Sequence, residues 1–300
     1  MLITGAITAL ITPFKEEEVD EEGFRENIQF QIDQGIDGVL ALGSTGENAT
    51  LTFEEQEKII VSVIHQVKGR IPVIINTGDN GTLRTIIKTK IAKKHGADAA
   101  LIVTPYYNKP TQEGIFRHFE AITSEVQLPI IVYNHPGRSG VNIELDTLLR
   151  ISKLPNIIGV KESSSNIDQI GDVIQAFSEN TNFSILSGDD TLTFPLIALG
   201  GHGVISVAAN VFPAQIKQMV HSALNGEYGN ARSCHYKLLS FFKACFIETN
   251  PVPIKTMMNL LGMAAGEPRL PLCELKKENF QKIQNEISKY SSWVDCSLKT

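Results

Sequence analysis

The sequence predicts an α/β protein, a (β/α)8 TIM barrel with a C-terminal helical appendage, and three observations carry that expectation. Short apolar segments of strand length recur eight times in the first two thirds of the chain. Segments with apolar residues at three- and four-residue spacing lie between most of them, giving a repeat of about thirty residues, the size of one strand-then-helix unit. No GxGxxG turn follows the first apolar segment, so an open doubly wound sheet with a nucleotide-binding turn has no support.

In order, the strand-like segments are 5–11, 38–42, 72–76, 99–104, 129–133, 157–161, 183–187 and 203–207. They read as continuous apolar runs rather than alternations, which suits parallel strands covered on both faces. Helical patterns occupy 21–34, 53–67, 82–95, 112–126, 144–153 and 167–177, and four more follow the eighth strand at 213–224, 229–246, 253–261 and 276–290. This divides the chain into a catalytic barrel over 1–225 and a helical region over 226–300. Residues 1–14 are apolar but carry Thr and Pro and no basic leader, so they read as a first strand rather than a signal peptide. The tail 291–300, with Trp293 and Cys296, receives no role.

Composition narrows the function classes. With 300 residues, 42% hydrophobic and 20% charged, the chain has the make-up of a soluble globular protein able to bury a large core. A net charge of −6 and the absence of any Lys/Arg cluster argue against nucleic acid as a partner. No apolar run reaches the roughly eighteen residues of a membrane span, so a cytoplasmic protein is expected. Cys234, Cys245, Cys273 and Cys296 form no CxxC pattern, and the seven histidines form no HxxxH or HxH pair. Reduced thiols and a reaction without metal or cofactor are the working expectation.

A barrel places its active site at the carboxyl ends of the strands. Those ends read GSTGE at 43–47, TPYYNKP at 104–110, YNHPGRSG at 133–140, KESSS at 161–165 and SGDD at 187–190. Lys161 ends the apolar run IIGV and has two readings, a structural lysine whose head reaches water or a desolvated nucleophile. A free lysine amine is neutral in roughly one molecule in a few thousand at pH 7, so nucleophilic attack on a ketone requires burial or a cationic neighbour. The resulting iminium would turn the adjacent carbon into an enamine nucleophile, with proton transfers that a buried phenol can serve. Tyr133 ends the neighbouring strand, Ser44, Thr45 and Tyr107 could extend a hydroxyl relay, and Arg138 offers a forked donor for a carboxylate. Plainer readings stand beside these. Gly43 and Gly46 suit a tight turn, Tyr106 and Tyr107 suit packing, Asp189 and Asp190 suit a helix N-cap, and Arg138 suits a loop carboxylate. GGHG at 200–203 reads as the lead into the eighth strand, with His202 structural.

These motifs, in this order, with GGHGVISV at 200–207, ETNPVPIKTMMNLLG at 248–262 and RLPL at 269–272, resemble the pyruvate-dependent class I aldolase superfamily. Within it the chain is similar to the dihydrodipicolinate synthase family from Thr4 to about Pro271. The resemblance implies a TIM barrel in which pyruvate forms a Schiff base with Lys161 and its enamine adds to aspartate semialdehyde, opening the lysine and diaminopimelate branch. It implies Tyr133 as the proton-transferring phenol, relayed through Ser44 to a Tyr107 contributed by a neighbouring subunit of a homotetramer. Thr45, the backbone of Ile205 and Gly188 match pyruvate-binding positions, and Arg138 matches the residue that engages the semialdehyde carboxylate. Ser44 stands where the family usually has threonine, so function is expected to be retained with a looser rotamer. Arg138 favours the synthase over a sugar-acid aldolase acting on N-acetylneuraminate or a 2-keto-3-deoxy acid. The joint set of residues speaks against a non-catalytic 2-oxo acid-binding barrel.

The family's lysine feedback site is matched by Asn80, Tyr106 and Ala49, but its remaining positions hold Phe53, Gln56 and Arg84. A cation at Arg84 would repel a lysine ammonium, so weak or absent inhibition by lysine is expected.

Overall fold

The computed structural model describes residues 2–291 and 293. Eight parallel strands close into a barrel: β1 (Gly5–Ala9), β2 (Gly38–Ala41), β3 (Val73–Asn76), β4 (Ala99–Val103), β5 (Ile130–Asn134), β6 (Ile157–Glu162), β7 (Ser184–Ser187) and β8 (Gly203–Ser206). Each strand pairs with the next, and β8 returns to β1 with Ile205 opposite Ile7. The TIM barrel expected from the apolar repeat is therefore the fold, with strand limits shifted by only one or two residues.

The apolar runs have a direct cause. Ile7, Leu40, Ile74, Leu101, Ile131, Leu186 and Ile205, from seven of the eight strands, fill the barrel interior as one cluster. The alternate side chains, such as Val39, Ile75, Ile102, Val132 and Val160, face the surrounding helices in a second, larger cluster. With both faces covered, each strand must be apolar on both. β6 contains a glycine because a Cβ at Gly159 would lie 2.4 Å from the Ser184 carbonyl oxygen on β7.

The outer ring comprises α1 (Glu21–Asp33), α2 (Phe53–Val67), α3 (Thr82–His95), α4 (Gln112–Glu125), α5 (Leu145–Ile151), α6 (Ile167–Ala176), α7 (Thr193–Ala198) and α8 (Pro213–Leu224). Its starts are chemically marked. Thr52 and Glu55 form a reciprocal capping box on α2, and Thr111 accepts from the Gly114 amide on α4. The seventh helix was not among the expected patterns, since six residues with Pro195 inside them are too short to show a period. Also unanticipated were a hairpin of two-residue strands, Phe14–Lys15 and Glu18–Val19, and a four-residue helix, Pro136–Ser139.

After the barrel come α9 (Tyr228–Ala244), α10 (Val252–Leu260) and α11 (Lys277–Ser288). The Phe212 ring, just before α8, lies 4.7 Å from Phe241 of α9 and 5.2 Å from Tyr290. These rings belong to the same buried cluster as the helix-facing side of the barrel. No helix among the described residues is long and apolar enough to cross a membrane. Cys296 lies outside the described residues, while Trp293 packs against Phe212 at 5.6 Å.

Candidate active site

Strand register places Lys161 directly beside Tyr133 on β5, and beside Leu186 on β7. Side chains at paired positions in parallel strands point the same way, so amine and phenol ring both enter the barrel mouth. Each residue is only 6% exposed, and Lys161 Nζ lies 4.3 Å from the Tyr133 ring centroid. No carboxylate among the described residues forms an ion pair with Lys161.

A second buried lysine shows what a structural one looks like. Lys255, on α10, donates to Glu47 Oε1 at 2.8 Å, to the Thr12 carbonyl at 3.2 Å and to the Glu267 carbonyl at 3.0 Å. Both side chains of that ion pair are 1% exposed, and Glu47 also accepts from the Arg269 amide at 2.9 Å. Burial lowers the Lys255 pKa, and the Glu47 carboxylate opposes the shift. All three Lys255 ammonium protons have acceptors; the Lys161 amine faces an aromatic ring and open cavity.

Six of the eight residues singled out in the sequence line this cavity: Lys161, Tyr133, Ser44, Thr45, Arg138 and Gly188. Two do not. The Ile205 side chain lies in the apolar layer inside the barrel, and Val207, two residues on, lines the cavity instead. Tyr107 is 90% exposed, with φ at 74°, and this chain does not carry it into the cavity. Ser44 and Tyr133 share the cavity without a hydrogen bond between them.

Gly188 leaves room for its neighbours. A Cβ there would lie 1.7 Å from Ser163 Oγ and 2.8 Å from Lys161 Cε, so any larger residue would displace the serine hydroxyl and press on the lysine stem. Beyond it, Asp189 caps the following turn, accepting from the Thr191 amide at 2.8 Å. Asp190 does not cap a helix. Its carboxylate accepts from Ser206 Oγ at 2.5 Å, the Val207 amide at 3.1 Å and the Ala208 amide at 3.0 Å, fixing the carboxyl end of β8. Burial nevertheless raises its pKa to about 6. His202 is structural: its Nδ1 accepts from the Ile185 amide at 3.1 Å.

Strand-end reasoning missed His135, Phe246 and Asn250, which also line the cavity. Asn250 bridges two of the expected residues, its Nδ2 donating to Thr45 Oγ1 at 3.0 Å and its carbonyl accepting from Arg138 at 3.1 Å. The ETNPVPIK motif at 248–255 was the available signal, but it lies in the helical region and off every strand end. Among the described residues Lys161 and Arg138 are the charged lining groups, and no carboxylate lines the cavity. Such a site favours anions over a metal ion or a free cation.

At the matched feedback positions, Arg84 donates to Asp79 Oδ1 at 2.7 Å and to Asn80 Oδ1 at 2.6 Å, and Lys88 donates to Asp79 Oδ2 at 3.0 Å. The Gln56 side chain is turned inward, donating to the Asn48 and Leu51 carbonyls.

The family model for the dihydrodipicolinate synthetase family matches residues 2–290. The 4-hydroxy-tetrahydrodipicolinate synthase of Protochlamydia amoebophila is 53% identical over 297 residues, covering 98% of this chain and 99% of that protein. The synthase of Aquifex aeolicus is 48% identical over 291 residues, with 97% and 98% covered. The crystal structure of dihydrodipicolinate synthase from Aquifex aeolicus superposes with a TM-score of 0.95 at 48% identity, covering 98% of this chain and all of that one. The agreement runs through barrel and helical region alike, and the chain belongs to the dihydrodipicolinate synthetase family.

Proposed function

We propose that this chain condenses pyruvate with L-aspartate 4-semialdehyde to 4-hydroxy-tetrahydrodipicolinate, through a Schiff base on Lys161 and without a cofactor. The observation that carries the reading is the buried Lys161 amine, free of any carboxylate partner and 4.3 Å from the Tyr133 ring. An amine must be neutral to attack a ketone, and no ion pair has to be broken to release this one.

Lys161 attacks the pyruvate ketone, and loss of water leaves an iminium. Tyr133, within reach of the same carbon, carries protons during addition and dehydration. Thr45, Gly188 and the backbone around Ile205 hold the pyruvate carboxylate. Loss of a methyl proton gives the enamine, whose carbon bonds to the aldehyde carbon as the aldehyde oxygen takes up a proton. The amino group of the adduct then attacks the iminium carbon, closing the ring and releasing Lys161. Arg138 holds the carboxylate of the second substrate, its guanidinium aimed by the Asn250 carbonyl.

Ser44 passes protons from Tyr133 toward solvent, and the relay is completed by Tyr107 from a second copy of the chain. The exposure of Tyr107, with Phe53, Leu83 and Ile87 also exposed, supports a face covered in a homotetramer built as a dimer of dimers. The helices beyond residue 225, α9 to α11, lend Phe246 and Asn250 to the barrel, and the enzyme works in the cytoplasm. Inhibition by lysine is weak or absent, a reading supported by Arg84, which bonds Asn80 and already occupies the Asp79 carboxylate together with Lys88.

Incubation with pyruvate, reduction with borohydride and peptide mapping test this reading. A reduced pyruvate adduct on Lys161 is expected, and its absence overturns the mechanism. Parallel assays with aspartate semialdehyde and with sugar acids then identify the acceptor.

A further inference from the structure

Resting on the condensation proposed above, we infer that His135 is a specificity-determining residue, whose imidazole accepts a hydrogen bond from the α-amino group of the second substrate. The second substrate carries both a carboxylate and an ammonium. Arg138 answers the first, but among the described residues no carboxylate lines the cavity to answer the second. An ammonium brought beside Lys161 and Arg138 therefore needs a neutral acceptor.

His135 meets that need by position and by charge. It lines the cavity with Arg138 and Lys161, and its ring packs edge-on against Tyr133 at 5.6 Å. Its backbone is fixed, since its carbonyl accepts from the Arg138 amide at 3.0 Å and the Ser139 amide at 2.9 Å. The ring is thus held at the start of the turn that presents Arg138. Its Nδ1 is buried and has no hydrogen-bond partner. A neutral imidazole always has one nitrogen free to accept. Burial, then the charges of Arg138 and Lys161, push its pKa down to about 4, so the ring is neutral near pH 7. A protonated histidine here would add a third cation and repel the ammonium.

The test compares aspartate semialdehyde with its des-amino analogue, succinate semialdehyde, for the wild type, His135→Val and His135→Asn. For each protein, the KM of aspartate semialdehyde and the inhibition constant of succinate semialdehyde are measured, with pyruvate saturating. Losing a hydrogen bond to a charged group should weaken aspartate semialdehyde by about tenfold or more in His135→Val. Succinate semialdehyde should bind equally well to both proteins. His135→Asn, which keeps an acceptor, should recover much of the difference. Equal losses for the two aldehydes, or none for either, overturn the assignment. Borohydride trapping of pyruvate on each variant keeps the two readings apart. Trapping that fails in the wild type refutes the Schiff-base mechanism, whereas trapping that succeeds in all three leaves the ratio of the two aldehydes to judge His135 alone.

Discussion

Replacing Gly188 with alanine tests whether the lysine stem is held by the close passage of β7. The added methyl carbon would lie 2.8 Å from Lys161 Cε and 1.7 Å from Ser163 Oγ. Ordinary carbon contacts lie at about 3.5–4.0 Å, so the lysine stem or the β7 end must move by about 1 Å. Overpacking of this kind costs roughly 1–3 kcal/mol of stability. A displacement of about 1 Å at a reacting group costs turnover on the order of a hundredfold. Ser163 Oγ has no hydrogen-bond partner, so that half of the clash can be removed without orphaning another group. The double variant Ser163→Ala/Gly188→Ala removes the hydroxyl contact and keeps the 2.8 Å contact with Lys161 Cε beside a milder one of 3.1 Å with the Cβ at 163. The assay is the rate of pyruvate adduct formation on Lys161 under borohydride, alongside urea unfolding. Slow trapping is expected in both variants, with stability partly recovered in the double one. Trapping at the wild-type rate in either would refute the claim that Gly188 sets the position of the lysine.

Lys255→Met leaves the buried Glu47 carboxylate without its ion-pair partner, and urea unfolding should show a loss of roughly 3–5 kcal/mol, with a smaller loss in Lys255→Met/Glu47→Gln. Asp190 is expected to make stability fall as pH rises from 4 to 6. Its folded pKa is raised to about 6 from 3.8, so the stability it contributes is full below 3.8 and is lost as the carboxyl ionises through about 6. Asp190→Asn should flatten that slope in urea titrations at pH 4, 5 and 6. Ser44→Thr keeps the hydroxyl and should leave turnover within a few-fold, and a large change measured in the coupled assay would show that the serine rotamer matters. Initial rates measured with millimolar lysine should match those without it, and strong inhibition would refute the reading of Arg84 and Lys88.

What the sequence disclosed, and what it hid, follows from the range of the interactions involved. The strands were legible because each is buried on both faces and must be apolar at consecutive positions, and once they were placed, their carboxyl ends located Lys161, Tyr133, Ser44, Thr45, Arg138 and Gly188. α7 and the small hairpin escaped because they are shorter than the periods that mark a helix or strand. His135 lies within YNHPGRSG, yet an imidazole in a turn has no periodic signal, and only the fold brings it to the cavity. Asn250 was harder still, since its bond to Thr45 closes a separation of 205 residues. The two buried lysines make the same point about chemistry. In the sequence Lys161 and Lys255 each follow apolar residues, and either could have been a packed structural amine. Only the fold brings Glu47 to Lys255, 208 residues away, and leaves Lys161 without a carboxylate partner among the described residues. Burial alone does not tell the two amines apart; the presence or absence of a counter-charge does, and a counter-charge is a property of tertiary structure.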